Sequence, residues 1–274
     1  MEQAVVMTPI CPLMSAPSLQ CERADEALFG WPLALLDTPA PGWLRVRTHY
    51  GYTGYAPADC VAGGPAVQAW LSQPKRLIRR SWADVLAAPR VESWPLVTLP
   101  RGAMLAVLED QEGWRKVILP DGRAGYVKES TLGPSGRPPC ESQAALRTAL
   151  VDSAKSYLGT QYRWGGKTPM GIDCSGLTFM SYFLNGILIY RDAKIESGFP
   201  VRPISFSQAG PGDLLYFPGH VALYLGGCRF LHSTARAGSD GVVISSLSPE
   251  GPDYRADLRE SLTAVGSIFP LSPS

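Results

Sequence analysis

The chain has 274 residues, 45% of them hydrophobic, with 25 basic and 24 acidic side chains. That length suits two or three domains, each with a real core. A net charge of +1 gives no electrostatic footing for nucleic acid or an anionic membrane surface, and no apolar run is long enough to predict a membrane span.

The start, Met1-Glu2, has no basic region, and Pro9 and Pro12 break its apolar stretch, so it does not read as a secretory signal. A cytoplasmic location is expected, or an extracellular or cell-envelope one if a leader was removed. Next comes an internal repeat. Gly42-Trp43-Leu44-Arg45-Val46 returns as Gly113-Trp114-Arg115-Lys116-Val117, and Gly51-Tyr52-Thr53-Gly54-Tyr55 as Gly122-Arg123-Ala124-Gly125-Tyr126, both at an offset of 71 residues. Each copy reads as strand, glycine turn, strand, which predicts small β-barrels. Residues 1–64 are expected to form the first such domain and 92–135 the second. Residues 65–91 are expected to be a helical linker, with Lys75, Arg76, Arg79 and Arg80 on a solvated helix face. Residues 133–139 are rich in Gly and Pro and predict a linker to a domain at 144–274.

That domain opens with helical spacing over residues 144–158, ending at Gly159. The glycine loop Tyr162-Arg163-Trp164-Gly165-Gly166 leads to Asp173-Cys174-Ser175-Gly176-Leu177 and an apolar run that predicts a helix. Strands are expected over 212–217, 220–225, 229–233 and 242–245, with 264–269 closing the sheet. Helices first and consecutive strands after predict an α+β domain with an antiparallel sheet.

A lone cysteine is usually a small buried hydrophobe. Cys174 instead lies between Asp173 and Ser175-Gly176, which are cap and turn residues. At a helix start its thiol meets the positive end of the dipole, which favours thiolate. His220, in Gly219-His220-Val221-Ala222-Leu223-Tyr224, opens a strand-like run. A helix-borne sulfur with a strand-borne imidazole makes a nucleophile and its base. Activity is then expected to need a thiolate–imidazolium pair. The six cysteines are scattered without a CxxC pair and histidines number three, so mostly reduced thiols and no metal or organic cofactor are expected.

Four ordered motifs, Tyr162-x-Trp164-Gly165-Gly166, Asp173-Cys174-Ser175-Gly176-Leu177, Gly212-Asp213-Leu214 and Gly219-His220-Val221-Ala222-x-Tyr224, resemble those of NlpC/P60 cysteine peptidases over residues 144–270. The repeats resemble bacterial SH3-like domains over residues 15–64 and 92–135. The resemblance implies a papain-like α+β fold preceded by two small SH3-like β-barrels, and hydrolysis of bacterial cell-wall peptides. It implies that His232 orients His220 by accepting its N–H, and that the Tyr162 hydroxyl lies by the oxyanion. Trp164 would wall the site or join the core.

The domain order is similar to that of γ-D-glutamyl-L-diamino-acid endopeptidases, which act on short peptides with a free N-terminal L-alanine. By that resemblance Arg191-Asp192-Ala193 binds substrate, Arg191 taking the D-glutamate α-carboxylate and Asp192 the alanine ammonium. Asp173 and Ser175 join the substrate-binding candidates. The first SH3-like domain would add Tyr52 and an acid, either Glu26 or one of Asp25 and Glu22. Two rivals remain: a peptidoglycan-binding module or hydrolase of intact wall, and a thiol-dependent acyl transferase with an exposed apolar groove. The expected partner is a small peptide, with neither nucleic acid nor membrane.

Overall fold

The computed structural model describes residues 2–133 and 142–270. The chain divides into two compact units, Met1–Arg137 and Pro138–Ser274. Cys140 and positions 134–139 of the expected linker lie outside the described residues.

The N-terminal unit holds two antiparallel sheets. Strands β1 (Gln3–Val6), β2 (Ile10–Met14), β3 (Arg23–Leu28), β4 (Pro32–Ala40), β5 (Trp43–Thr48), β6 (Thr53–Pro57) and β7 (Val61–Gly63) are ordered β3-β2-β6-β5-β4-β1-β7. After helix α1 (Pro65–Leu71) come β8 (Lys75–Leu77), β9 (Trp82–Leu86), β10 (Pro95–Pro100), β11 (Met104–Gln111), β12 (Trp114–Ile118) and β13 (Ala124–Lys128), ordered β10-β9-β13-β12-β11-β8. The second order is the first without β7. Even the registers repeat: Val46 faces Gly54 as Val117 faces Gly125, and Met14 faces Tyr55 as Leu86 faces Tyr126. The repeat seen in the sequence therefore extends back to β8.

This corrects two expectations. Residues 65–91 are not a helical linker: helix covers only Pro65–Leu71, and β8 and β9 belong to the second sheet. Pro74 stops the helix, and in Trp82–Leu86 the alternation of exposed and buried side chains suits a strand. Nor do the basic residues form a helix face. Lys75 donates to the carbonyls of Trp70, Leu71 and Gln73 at the end of α1, and Arg76 makes a fork of two 2.8 Å bonds to Glu129.

The two sheets are tied through Trp31, whose indole N–H donates to the Gly102 carbonyl at 2.8 Å, and through the Met104 amide, which donates to the Phe29 carbonyl at 2.9 Å. Gly30 permits this approach. Its φ is +77°, and a Cβ there would collide with the Met104 carbonyl oxygen.

The C-terminal unit begins with α2 (Gln143–Lys155), capped by Ser142, whose hydroxyl accepts from the Ala145 amide at 3.1 Å. A short hairpin, β14 (Lys167–Thr168) and β15 (Gly171–Ile172), precedes α3 (Cys174–Phe183). Strands β16 (Arg202–Ile204), β17 (Leu214–Phe217), β18 (His220–Gly226), β19 (Arg229–Thr234) and β20 (Gly241–Ser246) follow, then α4 (Ala256–Glu260) and β21 (Ala264–Ser267). They make one antiparallel sheet, β16-β21-β17-β18-β19-β20. The last strand thus lies inside the sheet, between β16 and β17, rather than at its margin. Helix α3 packs on α2 and on β18 and β19, and every one of its residues is buried. Leu215, Phe217, Ala222, Tyr224 and Phe230 share an apolar cluster with Leu258 of α4.

Gly30→Ala is expected to lower unfolding free energy by about 2 kcal/mol or more, because left-handed strain adds to a backbone collision. Gly42→Ala, at the same φ of +77° but with open space around it, should cost only about 1 kcal/mol. Urea unfolding of the two variants checks the difference.

Candidate active site

Asp173 is the N-cap of α3. Its Oδ1 accepts from the Gly176 amide at 2.5 Å, which fixes the first helical turn. Its Oδ2 accepts from the Gly165 amide at 2.8 Å, which ties the glycine loop to the same carboxylate. The glycines are there because the backbones touch. A Cβ on Gly176 would collide with the Gly166 carbonyl, and one on Gly166 with the Gly171 carbonyl. Gly165 turns at φ +71°.

Arg191 completes this arrangement. It forks onto Asp173, with bonds of 3.1 Å to Oδ1 and 2.9 Å to Oδ2. A third bond, of 2.6 Å, goes to the Ser175 hydroxyl. The physical reason is burial: Arg191 is 2% exposed, and a guanidinium in that setting needs a counter-charge. Asp192 is half-buried and interacts with Tyr190 and Lys194 of its own loop.

Cys174 is the first residue of α3 and is 7% exposed. The backbones of Val221 and Ser175 lie by its sulfur and favour the thiolate. Val221 follows His220, so the start of β18 and the start of α3 meet at the sulfur. His220 Nε2 lies 2.9 Å from His232 Nδ1, and His232 Nε2 lies 3.1 Å from the Ser245 hydroxyl. Neighbouring strands β18, β19 and β20 thus carry a continuous line of three side chains. Ser245 was marked by no motif. Only the pairing of β19 with β20, which sets Phe230 opposite Ser245, brings it there.

Tyr162 forms a parallel bridge with Ile172, two residues before Cys174. Burial, then the proximity of Cys174, raises its pKa, so its hydroxyl stays protonated and can donate. Trp164 is 59% exposed and is not a core residue. Tyr52 and Glu26 belong to the N-terminal unit. Tyr52 is half-buried, and Glu26 is 1% exposed and ion-paired to Arg23 at 2.9 Å. Asp25, the alternative acid, accepts from the Tyr50 hydroxyl at 2.5 Å.

Burial acts against the expected ion pair. Burial, and then the Asp173 charge, pushes the Cys174 thiol up to about 11, against the opposing help of the Val221 and Ser175 amides. Burial, and then Arg255, pushes His220 down to about 4. His232 falls to about 3, through burial and then His220. Desolvation outweighs the helix terminus. Burial thus favours the neutral thiol and neutral imidazoles, and a proton that stays on sulfur would pass to His220 as the sulfur attacks.

A thiol at the start of α3, which packs on β18 and β19, and a histidine of β18 hydrogen-bonded to one of β19 are the parts of a site for nucleophilic catalysis. Residues 159–257 match the NlpC/P60 family, and residues 13–60 match the bacterial dipeptidyl-peptidase Sh3 domain. The chain is 40% identical over 271 residues to a dipeptidyl-peptidase 6 of Lysinibacillus sphaericus, covering 97% of this chain and 99% of that one. It is 25% identical over 224 residues to a gamma-D-glutamyl-L-lysine dipeptidyl-peptidase of Bacillus cereus, covering 76% of this chain and 66% of that one. Its fold matches the crystal structure of an NlpC/P60 family protein from Bacillus cereus at a TM-score of 0.81 and 21% identity, over 98% of this chain and all of that one. The chain belongs to the NlpC/P60 family of peptidases and carries an SH3-like N-terminal domain. Among the described residues no helix is long and apolar enough to cross a membrane.

Alkylation of Cys174 by iodoacetamide should keep accelerating from pH 7 towards about 11, as the buried thiol ionises. A rate that levels off below about pH 7 would mean that the thiolate–imidazolium pair is the resting state.

Proposed function

We propose that the protein is a cysteine endopeptidase that hydrolyses the γ-D-glutamyl–L-diamino acid bond of short cell-wall peptides with a free N-terminal L-alanine, in the recycling of murein peptides. The observation that carries this reading is the hydrogen-bonded pair His220–His232, on strands packed against the helix that Cys174 opens. The names of the relatives support the substrate class, and a helix-borne sulfur beside a strand-borne imidazole supports a papain-like reading of the fold.

In the first step the Cys174 thiol gives its proton to His220 and its sulfur attacks the γ-carbonyl carbon of D-glutamate. The resulting oxyanion takes hydrogen bonds from the Tyr162 hydroxyl and from amides at the start of α3. As the tetrahedral species collapses, the C–N bond breaks and His220 hands the proton to the departing α-amine of the diamino acid. L-Ala-γ-D-Glu remains as a thioester on sulfur. Water then attacks the thioester, His220 takes its proton, and the dipeptide leaves as a carboxylate with the thiol restored. His232 keeps the His220 ring in place throughout.

The D-glutamate α-carboxylate is assigned to Arg191 and the alanine ammonium to Asp192. A charged ammonium recognised by a carboxylate explains why the peptide must be short and unblocked. Long wall strands, whose alanine is acylated, lack that charge.

Product analysis with L-Ala-γ-D-Glu-meso-diaminopimelate should show release of L-Ala-γ-D-Glu. Cys174→Ala should lower the rate by at least about 10³-fold, and N-acetylation of the alanine should block cleavage. No dipeptide from wild type, or undiminished release by Cys174→Ala, overturns the reading. Cleavage of the acetylated peptide or of intact wall would favour a wall hydrolase instead.

A further inference from the structure

We infer that Ser245 is a positioning residue of this site, setting the direction in which the two histidines carry their protons. The inference rests on His220 acting as the base for Cys174, and it adds a member to the line beyond the second histidine. Its footing is geometric. His220 Nε2 and His232 Nδ1 are 2.9 Å apart, His232 Nε2 and the Ser245 hydroxyl are 3.1 Å apart, and Ser245 is 4% exposed.

A neutral imidazole has one donor nitrogen and one acceptor nitrogen. Two neutral rings in line therefore have only two consistent arrangements. In one, His220 donates from Nε2 to His232 Nδ1, and His232 donates from Nε2 to the Ser245 oxygen. His220 Nδ1 then carries a lone pair and can take the thiol proton. In the other, every proton is reversed. Ser245 donates to His232 Nε2, His232 donates from Nδ1 to His220, and His220 Nδ1 already holds a hydrogen. That arrangement has no base.

The hydroxyl at the end of the line makes the first arrangement available because it is able to accept, which an alanine there could not. A buried N–H left without an acceptor is costlier than a buried lone pair left without a donor. Take the oxygen away, and His232 moves its hydrogen to Nδ1, where His220 still offers a partner. His220 is thereby forced into the unproductive form. Ser245 thus acts at one remove, through His232, and touches no reacting atom. The neutral state on which this depends is supported from the neighbouring elements. His220 and His232 lie on the sheet face that also holds Phe217 and Phe230, and Arg255 disfavours a charge on either ring. Asp257 works the other way but is itself clasped by Arg255, at 2.8 and 2.6 Å, with Arg236 4.0 Å away.

The test is nitrogen-15 NMR of histidine-labelled full-length protein, with steady-state kinetics alongside. In wild type both His220 and His232 should show the Nε2-protonated form. In Ser245→Ala both should shift to Nδ1-protonated, and kcat should fall roughly 10- to 100-fold, the usual size of a supporting-partner effect, while KM stays near wild type. Ser245→Thr, which keeps the hydroxyl on a strand-compatible side chain, should restore the tautomers and most of kcat. Unchanged tautomers in Ser245→Ala, or a Ser245→Thr variant as impaired as alanine, would overturn the inference. The tautomers need no substrate, so failure to cleave γ-D-glutamyl peptides would refute the proposed function and leave this result standing.

Discussion

One carboxylate organises the catalytic unit. Asp173 accepts from the Gly176 amide in the first turn of α3, from the Gly165 amide in the glycine loop, and from the fork of Arg191. Each bond has a different task. The first starts the helix at Cys174. The second holds the loop that carries Tyr162 against that helix. The third brings in the chain after the helix, with Asp192 next to it. Remove any one of these and the sulfur loses a neighbour. The same charge has a cost, because it raises the pKa of the thiol beside it.

The site is consequently a compromise between order and ionisation. A helix start and two backbone amides favour thiolate, but close packing around the sulfur favours thiol, and packing dominates. The same packing keeps His220 and His232 neutral, which lets them be joined by a directed hydrogen-bonded line instead of repelling each other. A neutral resting site also makes sense of Tyr162. Its protonated hydroxyl, next to the sulfur, is suited to a negative charge that appears only during the reaction.

Local features were legible in the sequence. The turn glycines at 42, 51, 113 and 122 all adopt positive φ, from +77° to +86°, and the hairpins they close fall where the repeat placed them. Cys174 opens a helix and His220 opens a strand because cap and turn residues announce both boundaries. Features that depend on distant partners were not legible. Strands β8 and β9 are short, and their partners β11, β10 and β13 lie further along the chain, so local spacing read them as helix. Nothing local to Arg191 reveals that its counter-charge sits 18 residues earlier, at Asp173. Ser245 is one serine among many until strand pairing sets it behind His232. The burial around Cys174 was not legible for a related reason: the dipole is a local property and burial is not.

The most direct measurement is amide hydrogen exchange at Gly165 and Gly176 in Asp173→Asn, compared with wild type. Asparagine keeps one acceptor oxygen for the Gly176 cap but turns an amine towards Gly165 and Arg191. The account predicts that Gly176 stays protected while Gly165 exchanges about tenfold faster, the equivalent of one lost hydrogen bond. Gly165 protection equal to wild type would contradict the claim that this carboxylate holds the loop to the helix.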